Sequence, residues 1–236
     1  MPHERLHQRL DERGFAVRRR LVGGGALAAL KAAFAEPGGN RRNVLDEVPA
    51  PASILRDAAL AALARSLFSA DARPAAVRGI AFDKHPGANW AVPWHQDLSI
   101  AVAARPAPAD EPAGFGPWSV KAGVTHVEPP AGLLARMLTV RIHLDDADAG
   151  NGALRVRPGS HRAGRLADAT AWAGPPEEIL EVRAGDAVLM RPLLLHASSR
   201  AQRPTRRRVL HLELAGEPLP PPLQWAAWRP VGVPAG

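Results

Sequence analysis

From about Ala76 onward the chain alternates short apolar runs with Pro, Gly and Asp, whereas its first seventy residues are mostly alanine- and leucine-rich stretches of helical texture. The pattern predicts helices over 26–34, just after Gly23-Gly24-Gly25, and over 58–68, with a short first strand at Phe15-Ala16-Val17. Strands are predicted over 77–83, 96–103, 137–144, 153–156, 179–182, 187–190 and 209–214. Seven short strands with few helices between them suit a sandwich or jelly roll, a mainly β (α+β) fold, and not a parallel sheet. At 236 residues this is expected to be a single domain: a helical part over 1–75, a β core over 76–214 and a Pro-rich tail over 215–236. Segment 105–132, rich in Pro and Gly and carrying Trp118, reads either as a substrate-covering loop or as a surface excursion. The tail reads as an extended wrap anchored by Trp225 and Trp228.

Composition narrows the chemistry. There is no cysteine, which removes disulfides, thiolate metal sites, iron–sulfur clusters and cysteine nucleophiles, so a metal must rest on histidine and carboxylate. The net charge of +7 raises nucleic acid as a partner, but only Lys31, Lys84 and Lys121 are lysines and the arginines are scattered. The clusters Arg18-Arg19-Arg20 and Arg206-Arg207-Arg208 lack interleaved aromatics for base stacking, so no nucleic-acid partner is expected. With no apolar run of membrane-spanning length and no leader-like N-terminus, a cytoplasmic location away from the membrane is the expectation. Gly23-Gly24-Gly25 lacks the Lys and Ser/Thr of a phosphate-binding loop.

The candidate chemistry lies in Pro93-Trp94-His95-Gln96-Asp97 and in His196. On an extended strand residues two apart share a face, so His95 and Asp97 would point to a common centre. A second histidine from a neighbouring strand completes a 2-His-1-carboxylate set, which leaves three positions of an octahedral metal open and suits non-heme Fe(II). Alone, a His-x-Asp pair is equally a surface or hydrogen-bonded pair.

Its context is more specific. Residues 84–97 (Lys-His-Pro-Gly-Ala-Asn-Trp-Ala-Val-Pro-Trp-His-Gln-Asp) are followed in order by Leu144-Asp145-Asp146, Asn151-Gly152-Ala153-Leu154, Pro158-Gly159-Ser160-His161, Gly185-Asp186 and Leu195-His196-Ala197-Ser198-Ser199. Over about 76–214 this series resembles the phytanoyl-CoA dioxygenase family, Fe(II)- and 2-oxoglutarate-dependent oxygenases built on a double-stranded β-helix (jelly roll, cupin-like) with N-terminal and flanking helices. The resemblance implies His95, Asp97 and His196 as iron ligands, with 2-oxoglutarate and O2 consumed, succinate and CO2 released, and a C–H bond of a small-molecule substrate oxidised. It implies an arginine, on the strand after the distal histidine, for the remote carboxylate of 2-oxoglutarate. Arg207 is chosen because it shares a face with His211 and Glu213 if Leu210, Leu212 and Leu214 pack outward under helices; with the opposite facing, Arg206 or Arg208 takes the role. Ser198 corresponds to a hydroxyl touching the same carboxylate, and Lys84 and Asn89 to polar contacts upstream of the iron strand. Retention of Asp97 favours hydroxylation over halogenation and leaves desaturation and ring chemistry open.

Other residues carry weaker expectations. Trp94 should face away from the ligands and pack, while Trp90 and Trp118 are candidates for a pocket wall. His143 and His211 read as buried, hydrogen-bonded histidines. Arg141 fits either a substrate anion or a structural ion pair. Two other functions compete: a cupin-like metal isomerase or lyase with no need of the arginine, and a non-catalytic binding module with no tight metal. Substrate identity and oligomeric state are not written in the sequence.

Overall fold

The computed structural model describes residues 2–168, 172–203 and 205–232, so Met1 and the last four residues of the expected tail lie outside it. The N-terminal part contributes α1 (Pro2–Arg13), β1 (Phe15–Arg18), α2 (Gly24–Ala33), β2 (Asn40–Arg42), α3 (Val44–Glu47), α4 (Pro49–Ile54) and α5 (Ala58–Leu67). Helix α5 begins where the Asp57 carboxylate accepts the backbone N–H groups of Ala59 and Leu60. The β-rich part follows as β3 (Ala75–Lys84), β4 (Val92–His95), β5 (Ile100–Val102), β6 (Trp118–Lys121), β7 (Val124–Val127), α6 (Ala131–Arg136) and β8 (Leu138–His143). It ends with β9 (Leu154–Val156), β10 (Glu178–Leu180), β11 (Ala187–Met190), β12 (His196–Ser198), β13 (Arg207–Ala215) and β14 (Arg229–Pro230).

The strands form three antiparallel sheets. The largest runs β1-β11-β8-β13-β3-β14 with β2 added on β3; a second runs β10-β9-β12-β4; a third runs β5-β7-β6. This is the mixed, mainly β double-stranded β-helix with N-terminal and flanking helices that the residue pattern and the resemblance predict.

Strand alternation sorts each element into two environments. Leu210, Leu212 and Leu214 of β13, Leu138, Val140 and Ile142 of β8, and Ala187 and Leu189 of β11 pack with Leu10, Leu30, Leu60 and Leu63 of the helices. The intervening residues of the same strands face inward. Val188 and Met190 join Leu154, Val156 and Leu180 of the second sheet in a separate cluster, and Arg141, Arg207, His211 and Glu213 line a cavity. Outward leucines under helices therefore hold for β13, which turns Arg207 inward. Gly79 permits the close seating of α3 on β3, because a Cβ there would stand 2.6 Å from the Leu45 side chain.

Two elements differ from the sequence reading. The strand expected over 96–103 is broken: β4 ends at His95 and β5 begins at Ile100. The Gln96 side chain donates to Gly164 O and Leu193 O and accepts from Leu166 N, and Asp97 N donates to Pro192 O, so the backbone leaves the ladder between them. Segment 105–132 is not a bare loop, since it folds β6 and β7 into a hairpin on β5. Beyond β13, Trp225 is buried with its indole N–H on Glu217 O, and β14 pairs with the start of β3.

Candidate active site

The cavity between the two larger sheets has a volume of about 490 Å3. His95 closes β4 and His196 opens β12, and the two residues are direct partners in the antiparallel pairing. Their rings lie 4.1 Å apart between centroids. Asp97 reaches the same point from the segment between β4 and β5, so only His95 of the pair lies on the strand, whereas the sequence reading placed both on one extended strand. One ligand atom from each of the three lies within 4.8 Å of the others.

The two imidazoles are oriented by their own backbone. His95 Nδ1 donates to Pro93 O at 2.8 Å and His196 Nδ1 donates to Leu194 O at 2.9 Å. Each Nε2 therefore carries a lone pair toward Asp97, at 3.8 Å from Oδ1 and 3.7 Å from Oδ2 respectively. These separations are too long for hydrogen bonds, and Asp97 Oδ2 is buried with no hydrogen-bond partner. Burial pushes His196 down to about 3, against the opposing pull of Asp97, so its ring is neutral. Burial alone would raise the Asp97 carboxyl, but His196, His211, His95 and Arg141 outweigh it and hold the group at about 2. Two imidazole nitrogens and one carboxylate, facing one point with an unpartnered oxygen, are the donor set that suits a divalent metal such as iron.

Lys84 and Arg207 form the inner end of the cavity. They are partners in the β3–β13 pairing and both are buried. Lys84 Nζ donates to Ser198 Oγ at 2.8 Å and to Ser199 O at 2.9 Å, and lies 5.4 Å from the centre of the Trp90 ring. Burial, then Arg207 and Arg141, push the Lys84 ammonium down to about 7. Burial and Arg141 push Arg207 down to about 10, and its Nε is buried without a partner. Among the described residues neither has a carboxylate within ion-pair distance. The flanking arginines differ: Arg206 pairs with Asp83 at 2.7 Å and Arg208 with Asp145 at 2.8 Å, outside the cavity.

Next to β13, Arg141 of β8 donates to His211 Nδ1 at 2.9 Å, which places the His211 N–H on Nε2, 3.6 Å from Glu213 Oε1. His211 is thus hydrogen-bonded as expected, whereas both nitrogens of buried His143 have no partner. Trp90 lines the cavity. Trp118 does not: its indole N–H donates to Glu111 and Arg105 covers its ring. Trp94 faces away, with Arg155 and Arg157 over its ring at 5.2 and 4.8 Å. Asn89 is also off the cavity wall, because its amide donates to Ala201 O and accepts from Ala201 N, a use that holds the loop after β12. Sequence reasoning missed Arg42, Arg78 and Lys121 on the outer wall. Glu213 was visible only through the alternation of β13.

Fold and site together define an iron- and 2-oxoglutarate-dependent enzyme. A profile of the phytanoyl-CoA dioxygenase (PhyH) family matches residues 10–209, and the chain belongs to that family. No curated protein matches the chain. Among solved structures, the non-heme α-ketoglutarate-dependent epimerase SnoN from nogalamycin biosynthesis is similar at 16% identity with a TM-score of 0.68, over 99% of this chain and 87% of that one. AviO1 from Streptomyces viridochromogenes Tue57 is similar at 23% identity with a TM-score of 0.66, over 93% and 97%. HygX from Streptomyces hygroscopicus, with nickel and 2-oxoglutarate bound, is similar at 15% identity with a TM-score of 0.61, over 89% and 85%. At these identities the likeness is one of fold. No helix among the described residues is long and apolar enough to cross a membrane.

Proposed function

We propose that this enzyme hydroxylates a C–H bond of a small molecule, with His95, Asp97 and His196 holding Fe(II) and Lys84, Arg207 and Ser198 receiving the remote carboxylate of 2-oxoglutarate. The observation that carries the reading is the buried Lys84–Arg207 pair, two facing cations with no carboxylate near them, beside a three-residue metal donor set. A buried like-charge pair is costly, and a dianionic cosubstrate offsets that cost. The guanidinium fork of Arg207 suits a carboxylate, and the Ser198 hydroxyl, which accepts from Lys84, keeps its own proton to donate. Asn89 is left out of this role because both ends of its amide are used on Ala201.

When bound, iron and 2-oxoglutarate would supply oxidation by O2 with loss of CO2 and formation of succinate. The chain's own residues do the rest. The backbone carbonyls of Pro93 and Leu194 fix the tautomers of His95 and His196; burial keeps His196 neutral; Asp97, held at about 2, stays ionised. Asp97 supplies the carboxylate ligand, which favours hydroxylation over halide transfer. The test is anaerobic titration with Fe(II), then 2-oxoglutarate, followed by the weak visible charge-transfer band of the chelate. The band should form, vanish in His196→Ala and need far more 2-oxoglutarate in Arg207→Ala. Iron binding without the band overturns the 2-oxoglutarate role. Once a substrate is found, one oxygen atom from labelled O2 in the product is the mark of hydroxylation.

A further inference from the structure

The cavity has a second cationic pole that the metal and 2-oxoglutarate do not use. Along β3, residues Arg78, Ile80, Phe82 and Lys84 all line the cavity, paired in register with Glu213, His211, Val209 and Arg207 of β13. Lys84 and Arg78 thus mark opposite ends of one wall, roughly 20 Å apart for six residues of strand at about 3.3 Å each. His211 and Arg141 are register partners on β13 and β8 between these ends, and they line the same cavity as His95, Asp97 and His196, so the metal centre shares the volume that joins the two poles.

At the outer pole Arg42 of β2, Arg78 of β3 and Lys121 of β6 converge. Glu213 pairs with Arg78 at 3.1 Å, and the other acidic group nearby, Glu128, pairs with Arg165 at 2.9 Å. Lys121 Nζ donates to the neutral Ser99 Oγ at 2.6 Å. Among the described residues neither Arg42 nor Lys121 has a carboxylate within ion-pair distance. Burial, then Arg78, push Arg42 down, and burial, Arg78 and Arg42 push Lys121 down; Glu213 opposes both shifts, and Glu128 the second, only in part. Elsewhere the chain commonly matches arginine with acid, as in Arg155–Glu177, Arg206–Asp83 and Arg208–Asp145, so two unmatched cations gathered inside a cavity from β2 and β6 call for an anion.

We infer that the substrate carries an acidic group, a carboxylate or a phosphate, that pairs with Arg42 and Lys121 and so places the C–H to be oxidised at the metal. This rests on the proposed 2-oxoglutarate reading, which assigns the inner pole to the cosubstrate and leaves the outer one for the substrate. The outer cations come from elements that carry none of the metal ligands, so they would set selectivity separately from the oxidation itself.

The test uses anaerobic holoprotein saturated with Fe(II) and 2-oxoglutarate, so that the inner pole is filled. Calorimetric titration at constant ionic strength compares phenyl phosphate, 3-phenylpropionate and the neutral 3-phenylpropionamide, with wild-type protein and with Arg42→Gln/Lys121→Gln. The expected result is binding of at least one anion about tenfold or more tighter than the amide, with the preference reduced to about twofold or less in the double variant. The tighter anion then identifies carboxylate or phosphate. Equal binding of anions and amide by the wild type, absence of binding by all three, or a preference that survives in the double variant overturns the inference. The charge-transfer band recorded on the same samples separates the two readings. If the band forms and the anion preference is absent, only the substrate assignment falls; if the band does not form, the 2-oxoglutarate reading falls and the substrate assignment with it.

Discussion

Lys84 and Arg207 face each other as register partners on β3 and β13, both buried, and no carboxylate among the described residues accompanies either. Facing like charges destabilise a sheet, and burial adds to the cost. Arg207→Met should therefore stabilise the protein without cosubstrate by roughly 1–3 kcal/mol. The same change should remove most of the rise in Tm that 2-oxoglutarate gives the wild type. Thermal melts with and without 2-oxoglutarate check both halves. A variant that melts lower without cosubstrate and keeps the ligand-induced rise would contradict this account.

The Lys84 ammonium, held at about 7 by burial and by Arg207 and Arg141, predicts a pH dependence with a definite sign. Below about 7 both folded and unfolded chains hold the proton. Between about 7 and the ordinary 10.5 the folded chain has shed a proton that the unfolded chain keeps, so stability without cosubstrate rises with pH across that window. Binding of 2-oxoglutarate runs the other way, because it needs the ammonium. Its affinity should fall above pH 7 by up to about tenfold per pH unit, with proton uptake on binding. Calorimetry at pH 8 in two buffers of different ionisation enthalpy reads that uptake, which Lys84→Met should eliminate.

Metal binding should depend on the imidazole orientation as well as on the ligands. His196→Ala should lose Fe(II) binding with the fold retained, because the β12–β4 and β12–β9 pairings run through backbone groups. Equilibrium dialysis for iron and far-ultraviolet circular dichroism on one sample separate loss of metal from loss of fold. Retention of tight iron by this variant would remove His196 from the ligand set.

Gly152 ties the fold to the site. Its φ of +78° suits glycine, and a Cβ there would stand 2.4 Å from the Ser199 carbonyl oxygen. That oxygen accepts a hydrogen bond from Lys84 Nζ. Gly152→Ala should cost about 1–3 kcal/mol in unfolding free energy and also weaken 2-oxoglutarate binding, since relief of the clash moves a Lys84 partner. Denaturant unfolding and the charge-transfer titration should shift together. A stability loss with unchanged affinity would show that the loop yields without moving Ser199.

What the sequence determined by itself was local or compositional. The alternation of leucines with His211 and Glu213 settles which face of β13 is wet once one face is known, because side chains on a strand have period two and Leu210, Leu212 and Leu214 need an apolar cover. The absence of cysteine limited the metal donors to His, Asp and Glu, and the ordered series around His95, Asp97 and His196 carried the family. What only tertiary structure decided is how groups remote in sequence are matched. Arg206, Arg207 and Arg208 are equivalent as letters; Asp83 and Asp145 neutralise the outer two, and of the three Arg207 is the one that lines the cavity. Asp97 meets His95 from beyond the end of β4, where the Gln96 side chain is held by Gly164, Leu166 and Leu193, partners about seventy and a hundred residues away. The gathering of Arg42, Arg78, Lys121 and Glu213 has no local signature, since charge surplus is a property of a closed volume and that volume exists only when β2, β3, β6 and β13 meet.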